Sequence, residues 1–175
     1  MAKTKYGYAE SSALAATNGD GHIYSVIDTE NELENGMIVK LGKLIDRENH
    51  EISDPADGDK VVLILDVIIP YDQSTTMAGY EVFYNFAKGK SVRAYNLIEH
   101  DRFSVIDYMV TSIAGDNKPA VKGNYIVSNG DRKYKEVAAA GDVSAYGFVA
   151  QIAEITYRSG MTLYLVEVIK NETVA

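Results

Sequence analysis

Short runs of strand-forming residues, separated by turn residues about every ten positions, dominate this chain. Val61–Leu65 is continuously apolar, while Phe148–Tyr157 and Met161–Ile169 flank a turn at Arg158–Gly160. Such runs are typical of β-strands, and the last two predict a hairpin. The predicted strands do not alternate with helices, which argues against a parallel α/β sheet. The sequence therefore predicts a mainly β fold, either an antiparallel β-sandwich or a small β-barrel, with at most one short helix.

Other segments are predicted from the same pattern. Further strands are predicted at His22–Ile27, Met37–Leu41, Ser91–Leu97, Phe103–Val110, Tyr125–Val127 and Tyr134–Val137. Residues 47–60 are polar and rich in Asp, Pro and Gly, which predicts a loop. Residues 71–86 fit either a brief helix or a loop with aromatic anchors.

The first 34 residues differ from the rest of the chain. They are small, polar and rich in turn residues, and Ala13–Ala16 is too short to persist as an isolated helix. We expect residues 1–34 to form an extended N-terminal arm that a partner surface would order. Residues 35–175 are expected to form a β-rich body, with two small β subdomains at about 35–115 and 116–175 as an open alternative.

The charge of the chain is acidic and unevenly distributed. The 175 residues include 17 Lys and Arg against 25 Asp and Glu, which gives a net charge of −8. This balance argues against a nucleic-acid partner held by phosphate contacts. Residues 28–60 alone contain ten acidic and four basic residues. We interpret this stretch as an exposed acidic face, either simply solvated or acting as a repulsive exterior on a protein packed in many copies.

Composition excludes several classes of protein. There is no Cys, so the chain has no disulfide framework, no thiolate metal site and no cysteine nucleophile. The longest apolar run, Val61–Pro70, is interrupted by Asp66 and is shorter than the roughly 18–20 residues of a membrane span. The polar start of the chain does not resemble a secretory signal. No membrane association is expected.

A search for catalytic motifs finds none. There is no G-x-S-x-G sequence and no phosphate-binding glycine loop. His22, His50 and His100 are far apart and are predicted to be exposed loop residues rather than bases or ligands. Glu99-His100-Asp101 is predicted to be a turn whose side chains point in different directions. We therefore expect a protein that is not an enzyme and that needs no cofactor.

Three aspartates lie close together in the polar loop. Asp54, Asp57 and Asp59 could supply oxygen ligands to a hard cation such as Ca²⁺. Their spacing departs from the known calcium loop, and Pro55 interrupts it. A plain acidic loop is the favoured interpretation, and no metal site is predicted.

The chain resembles the small capsid decoration, or head-stabilising, proteins of tailed bacteriophages that infect mainly Gram-positive bacteria. The resemblance covers about residues 35–170 and includes the arm that precedes them. Its segments are Asn35–Gly42, Asp59–Leu63, Arg93–Tyr95, His100–Val105, Gly123–Val127 and the closing hairpin Phe148–Val168. Residues 46–59 and 71–86 have no firm counterpart in that family.

The resemblance implies a virion structural protein that binds the outside of a phage head and bridges major capsid subunits. Its partners would be the major capsid protein and copies of itself on the shell, and it would be made in the host cytoplasm. Tyr6, Tyr8 and Tyr24 are the predicted partner-binding anchors, because tyrosine gives a large contact area at low rotamer cost. A tail, baseplate or head-fibre component is the alternative, and a small β-barrel ligand-binding protein or enzyme is the rival from another class.

Overall fold

Strands form nearly all the regular structure in the part of the chain that the structure describes. The computed structural model describes residues 5–18, 21–67, 84–115, 118–158 and 160–174. The twelve strands are β1 Ala9–Ala13, β2 Ile23–Ile27, β3 Ile38–Leu44, β4 Asn49–Ser53, β5 Val62–Ile64, β6 Val92–Asn96, β7 Arg102–Ile106, β8 Val110–Thr111, β9 Tyr125–Ser128, β10 Tyr134–Val137, β11 Phe148–Arg158 and β12 Met161–Asn171. Among the described residues, the helical segments are two short 3₁₀ helices, Ala15–Asn18 and Asp107–Met109. The prediction of a mainly β fold is confirmed.

Five strands close into a small barrel in the order β2-β4-β3-β5-β6. All neighbouring pairs are antiparallel except β2 and β4, which run parallel. All three residues of β5 are buried, as expected for a continuously apolar strand covered on both faces. The barrel interior is filled by β-branched and aliphatic side chains, among them Val26, Ile38 and Leu63, each with no exposed area.

The other seven strands form one open sheet in the order β1-β7-β12-β11-β9-β10-β8. Its centre is the hairpin of β11 and β12, two strands of 11 residues each. Gly160 provides the turn with a φ of +77°, which a residue without a Cβ adopts at no steric cost. The predicted hairpin is therefore confirmed. The pair β10–β8 is the parallel one in this sheet.

The barrel and the sheet share one hydrophobic core and are joined by side-chain hydrogen bonds. The Tyr134 hydroxyl, on β10 of the sheet, donates to the Gly36 carbonyl beside the barrel at 2.8 Å. The side chain of Asn171, at the end of β12, exchanges two hydrogen bonds with the backbone of Val61 and donates a third to Leu97. These bonds pair backbone groups at the seam, the boundary between barrel and sheet, where no neighbouring strand of the described residues pairs with them.

Residues 9–34, assigned by the sequence to an extended arm, contribute strands to both sheets. β1 pairs with β7, and β2 lies within the closed barrel. Leu14 is 1% exposed, and the backbone N–H of Ala15 donates to Asp101 at 2.6 Å. β2 agrees with the strand predicted at His22–Ile27, whereas the small polar residues of β1 carry no strand pattern and suggested an arm. Here the pairing partner supplies the backbone hydrogen bonds instead.

The loop predicted at residues 47–60 differs from the structure in its first half. Asn49–Ser53 forms β4, held between β2 and β3. Only Ile52 is apolar there, so closure of the barrel decides the conformation rather than a hydrophobic pattern. The helix-or-loop prediction for residues 71–86 lies outside the described residues up to position 83. Phe86 is described; it is buried and bridges to Leu33.

Candidate functional site

The most buried ionic cluster lies at the seam between barrel and sheet. Arg132 donates from Nη1 to Asp28 Oδ2 at 2.7 Å and from Nε to Asp54. Its main-chain oxygen also accepts from Ile38. Burial raises the pKa of Asp28, but hydrogen bonds from Asn31, Arg132 and the Glu30 backbone outweigh it and hold that pKa below its usual value. The cluster fixes the β9–β10 turn against the barrel, which is a structural task.

The remaining loop aspartates are also paired. Asp57 contacts Lys135 Nζ at 3.2 Å, and Asp59 contacts Lys40 Nζ at 2.7 Å. Each of the three loop aspartates therefore faces its own cation rather than a shared point. Within the described ranges, no group of three or more His, Asp or Glu side chains is arranged to hold a metal ion.

The three histidines lie apart. His22 and His50 flank Tyr24 on the barrel, with ring centroids 5.9 and 5.5 Å from the tyrosine ring. His50 lies on strand β4 and is half-buried, whereas the sequence placed it in an exposed loop. His100 is exposed, and its hydrogen bond to Glu167, at 3.0 Å, raises its pKa.

The acidic neighbours of His100 do not form a site with it. Asp101 points into the core, where its carboxylate accepts from the backbone of Ala15 and of Ile98. Glu99 lies 3.7 Å from His100 on the solvent side. The sequence-based expectation that the three side chains point in different directions holds for Asp101, whereas Glu99 and His100 approach each other as an ion pair.

An open cleft with a volume of about 770 Å³ lies at the far end of the sheet. One wall is the distal half of the β11–β12 hairpin, and the other is formed by side chains from residues 107–115 together with Lys118 and Pro119, with Lys5 at the margin. Tyr108, Tyr157 and Tyr164 all line it, and we call it the tyrosine cleft. Tyr157 is 78% exposed and Tyr108 is 48% exposed. Such large exposed aromatic surfaces beside a concavity are typical of binding sites.

The cleft wall is held by a buried carboxylate behind it. Glu136 is 6% exposed, and its Oε2 accepts from the Ser112 hydroxyl at 2.8 Å and from the Ile113 backbone at 3.0 Å. Its Oε1 accepts from the Val121 backbone and from the Asn124 amide, both at 2.7 Å. Although burial raises the pKa of Glu136, these four donors lower it below its usual value. The wall is therefore preformed.

The opposite wall is tied to the first through Tyr164. Its hydroxyl accepts from the backbone N–H of Ala120 at 2.9 Å, and burial raises its pKa. On the rim, Lys133 Nζ lies 3.9 Å from the centroid of the Tyr108 ring, a cation–π contact. The lining residues between Asp107 and Gly115, and Lys118 and Pro119, were not singled out from the sequence. The clustering of Tyr157 with Tyr108 comes from a crossing of the chain over the sheet that no local pattern encodes.

The three tyrosines predicted as partner anchors do not lie in this cleft. Tyr6 is half-buried, and Tyr8 is half-buried beside the edge strand β1, where it contacts Glu10. Tyr8 lines another cleft, of about 420 Å³, together with Asp66, Arg93 and Tyr95. Tyr24 lies on barrel strand β2, between the two histidines. The structure thus divides Tyr8 and Tyr24 between the sheet and the barrel.

The acidic stretch 28–60 belongs to the barrel and is mostly exposed. Glu30, Glu32, Glu48 and Glu51 are all exposed. Asp28 is the clear exception, since it is buried against Arg132. Glu34 is half-buried and accepts from the backbone of Gly7. The exposed carboxylates thus lie on the other sheet from the tyrosine cleft.

The side chains that line the tyrosine cleft determine the chemistry that it can offer. Its lining contains hydroxyl groups, two lysines and Asp107, but no histidine. The Ser112 hydroxyl is hydrogen-bonded to Glu136, whose lowered pKa makes it a weak base. The lining therefore offers apolar contact area, hydrogen bonds and charge, without an activated nucleophile among the described residues.

No protein-family model matches the chain, and a search of curated proteins finds none with significant similarity. Among the described residues, no helix is long and apolar enough to cross a membrane.

Proposed function

We propose that this protein is a virion structural protein, a capsid decoration protein that binds the outside of a phage head and bridges major capsid subunits. The observation that carries the proposal is the separation of two surfaces. Tyr108 and Tyr157 expose aromatic surface in the tyrosine cleft, whose described lining contains one carboxylate, Asp107, while the exposed carboxylates of residues 28–60 lie on the barrel. A binding face depleted of acidic groups and an acidic face on another part of the molecule suit a protein that sits on a shell in many copies.

The tyrosine cleft is the proposed contact with the shell. Besides Tyr108 and Tyr157, the exposed side chains Ile113 and Val121 belong to the segments that Glu136 holds in place. Aromatic residues are enriched at the centre of protein interfaces, and Asp and Glu are depleted there. In this arrangement the acidic barrel faces outward, and neighbouring copies repel one another weakly across the shell surface. Tyr6, Tyr8 and Tyr24 remain predicted anchors of a second contact, to a neighbouring subunit or copy.

Shell binding tests the proposal directly. Purified protein is mixed with phage heads that lack it, and binding is followed by sedimentation and by the thermal stability of the shells. We expect the protein to sediment with the shells and to raise their melting temperature. Tyr157→Ala should weaken binding, while Ile45→Ala, at an exposed barrel position, should not. Failure of the wild-type protein to bind any such shell would refute the proposal.

Other locations and functions have distinct outcomes in the same experiment. Binding to tails or baseplates, but not to heads, would assign the protein to the tail instead. A small-molecule-binding protein or enzyme is the second candidate, favoured by the size of the tyrosine cleft, which falls within the range of ligand pockets. That candidate predicts a thermal shift of the isolated protein with a small ligand and no association with shells.

A further inference from the structure

The charge of the tyrosine cleft is opposite to that of the whole chain. Lys5 and Lys118 line it, and Lys133 lies on the Tyr108 ring at its rim. Asp107 is the one carboxylate among its described lining residues. Glu136 faces into the wall, where four donors surround its carboxylate. A local excess of positive charge on a protein of net charge −8 would attract an acidic partner.

The edge of the sheet beside the cleft is open. β11 pairs with β9 only over Val149–Gln151, and backbone bonds from Ile152 to Asn124 and from Gly123 to Ile152 end that contact. Over residues 153–158, β11 pairs with β12 alone among the strands described. Within the described part of the chain, no other strand pairs with that side of β11 over these residues, a length of about 20 Å at roughly 3.3 Å per residue, and we call this side the open edge. Tyr157, in the same stretch, lines the cleft.

An open strand edge and a cleft with apolar and basic groups suit one kind of occupant. Extended polypeptide segments add to open sheet edges through main-chain hydrogen bonds, and alternate side chains enter neighbouring pockets. Arg158 does not contribute free charge, because it is paired with Glu10 at 2.6 Å. The lysines of the cleft would then meet the side chains of the incoming segment.

We propose that the tyrosine cleft and the open edge of β11 bind an extended, acidic segment of a partner protein. Apolar side chains of the segment contact Tyr108 and Tyr157, its carboxylates face Lys5 and Lys118, and its backbone pairs with β11. The inference rests on the proposed function, since it gives the chemistry of the shell segment that the decoration protein would bind. It can nevertheless be tested without shells.

Two labelled peptides test the chemistry of the site with the intact protein. One is a ten-residue peptide in which Asp or Glu alternates with Leu or Tyr, and the other has Lys in place of each acidic residue. Fluorescence anisotropy should show at least tenfold tighter binding of the acidic peptide. Its binding should weaken as salt rises, because exposed charges are screened. Backbone amide exchange over residues 153–158 should slow when the acidic peptide is bound.

Variants locate the site. Tyr157→Ala should weaken binding of the acidic peptide about tenfold, the typical loss for an aromatic anchor. Lys118→Glu should weaken it about fivefold or more, and Lys43→Glu, at an exposed barrel position, should leave it unchanged. Equal binding of both peptides, binding of neither, or acidic-peptide binding that survives both Tyr157→Ala and Lys118→Glu overturns the inference. Sedimentation equilibrium showing a dimer that Tyr157→Ala disperses would assign the cleft to a second copy and also overturn it.

Failure of the inference and failure of the proposed function are distinguishable. If shells bind the protein but the acidic peptide does not, the chemistry assigned to the cleft is wrong and the function stands. If the peptide binds with the expected variant pattern but no shell does, the cleft stands and the capsid function is wrong.

Discussion

The barrel and the sheet solve the problem of strand edges in different ways. The barrel closes on itself, so none of its five strands is left without a neighbour. Its surface is then free to carry carboxylates, and residues 28–60 do so. The sheet stays open, with β1 at one edge and the two-residue β8 at the other. Its long hairpin extends past the end of β9, which creates both the cleft and the open edge.

This difference shows that the backbone N–H and C=O groups of a strand can either close a barrel or bind a partner, but not both. A closed barrel presents only side chains, whereas an open sheet can offer main-chain hydrogen bonds to a partner. This end of the sheet needs other supports, and here Glu136 and Tyr164 hold the segment that forms a wall of the tyrosine cleft. We therefore expect substitutions at the seam and at these supports to change stability, and substitutions on the barrel surface to change little.

Deletion of residues 2–22 should have the largest effect. The deletion removes β1 and the buried side chain of Leu14 and leaves Asp101 without the Ala15 N–H. We expect it to lower the free energy of unfolding by at least about 4 kcal/mol, a large share of the stability of a typical domain. Urea unfolding followed by circular dichroism measures this loss.

The point variant Leu14→Ala tests the loss of one buried side chain without shortening the chain. Leu14→Ala alone should cost about 2–5 kcal/mol, because it leaves a cavity in the core. If the deletion variant unfolds within about 1 kcal/mol of the full chain, residues 2–22 act as a detachable arm and the barrel–sheet comparison must exclude β1.

Arg132→Ala should have the next largest effect, because it breaks the ionic cluster at the seam. It leaves Asp28, whose side chain is 7% exposed, without its cation. Removing one partner of a buried pair typically destabilises by about 3–5 kcal/mol, and we expect about 3 here, since Asn31 still hydrogen-bonds to Asp28. Equilibrium unfolding of Arg132→Ala, of Asp28→Ala and of the double variant gives the coupling energy between the two side chains.

A surface pair provides the control for that variant. Arg93 lies 3.9 Å from Asp66, and its side chain is 62% exposed. Arg93→Ala should therefore change the free energy of unfolding by no more than about 0.5–1 kcal/mol. Equal losses for the two arginine variants would show that the Arg132 cluster does not join the barrel to the sheet.

The sequence predicted the fold class and most strands, because local patterns decide them. The apolar run of β5 and the alternating strands of the β11–β12 hairpin are examples. It did not predict β1 and β4, whose polar residues become strands only because neighbouring strands pair with them. The candidate site could not be predicted from the sequence for a related reason. Tyr157 and Tyr108 are neighbours only through a long-range crossing, and Glu136 is identifiable as a support only once its four donors are in place.

Glu136→Gln should have an intermediate effect that depends on pH. The amide can accept on one side only, so its NH₂ group would face a backbone N–H. We expect a loss of about 1–3 kcal/mol at pH 7, the usual cost of an unsatisfied buried group. Because the folded state lowers the pKa of Glu136, it binds this proton less readily than the unfolded chain does. Its contribution is therefore present above the usual pKa, about 4.5, and is lost as the pH falls through the folded value.

Unfolding measurements between pH 7 and pH 3 check the sign of this effect. The difference between wild type and Glu136→Gln should shrink as the pH falls below about 4.5. Asp28 and Asp59, whose pKa values are also lowered, remain in both proteins and cancel in the comparison. A difference that stays constant, or grows toward low pH, contradicts the role assigned to the ionised carboxylate.

Neutralising exposed carboxylates of the barrel should have the smallest effect. The triple variant Glu30→Gln, Glu48→Gln and Glu51→Gln changes the net charge from −8 to −5 and removes no described side-chain ion pair. Its free energy of unfolding should stay within about 0.5 kcal/mol of wild type, as is usual for surface substitutions. Glu34 is left unchanged, since it accepts from Gly7 and a change there would test packing instead. Binding of the acidic peptide should change less than twofold, whereas solubility, measured by precipitation with ammonium sulfate, should fall because acidic residues favour solubility. A large loss of shell or peptide binding in this variant would place the contact surface on the barrel and reverse the functional division between the two sheets.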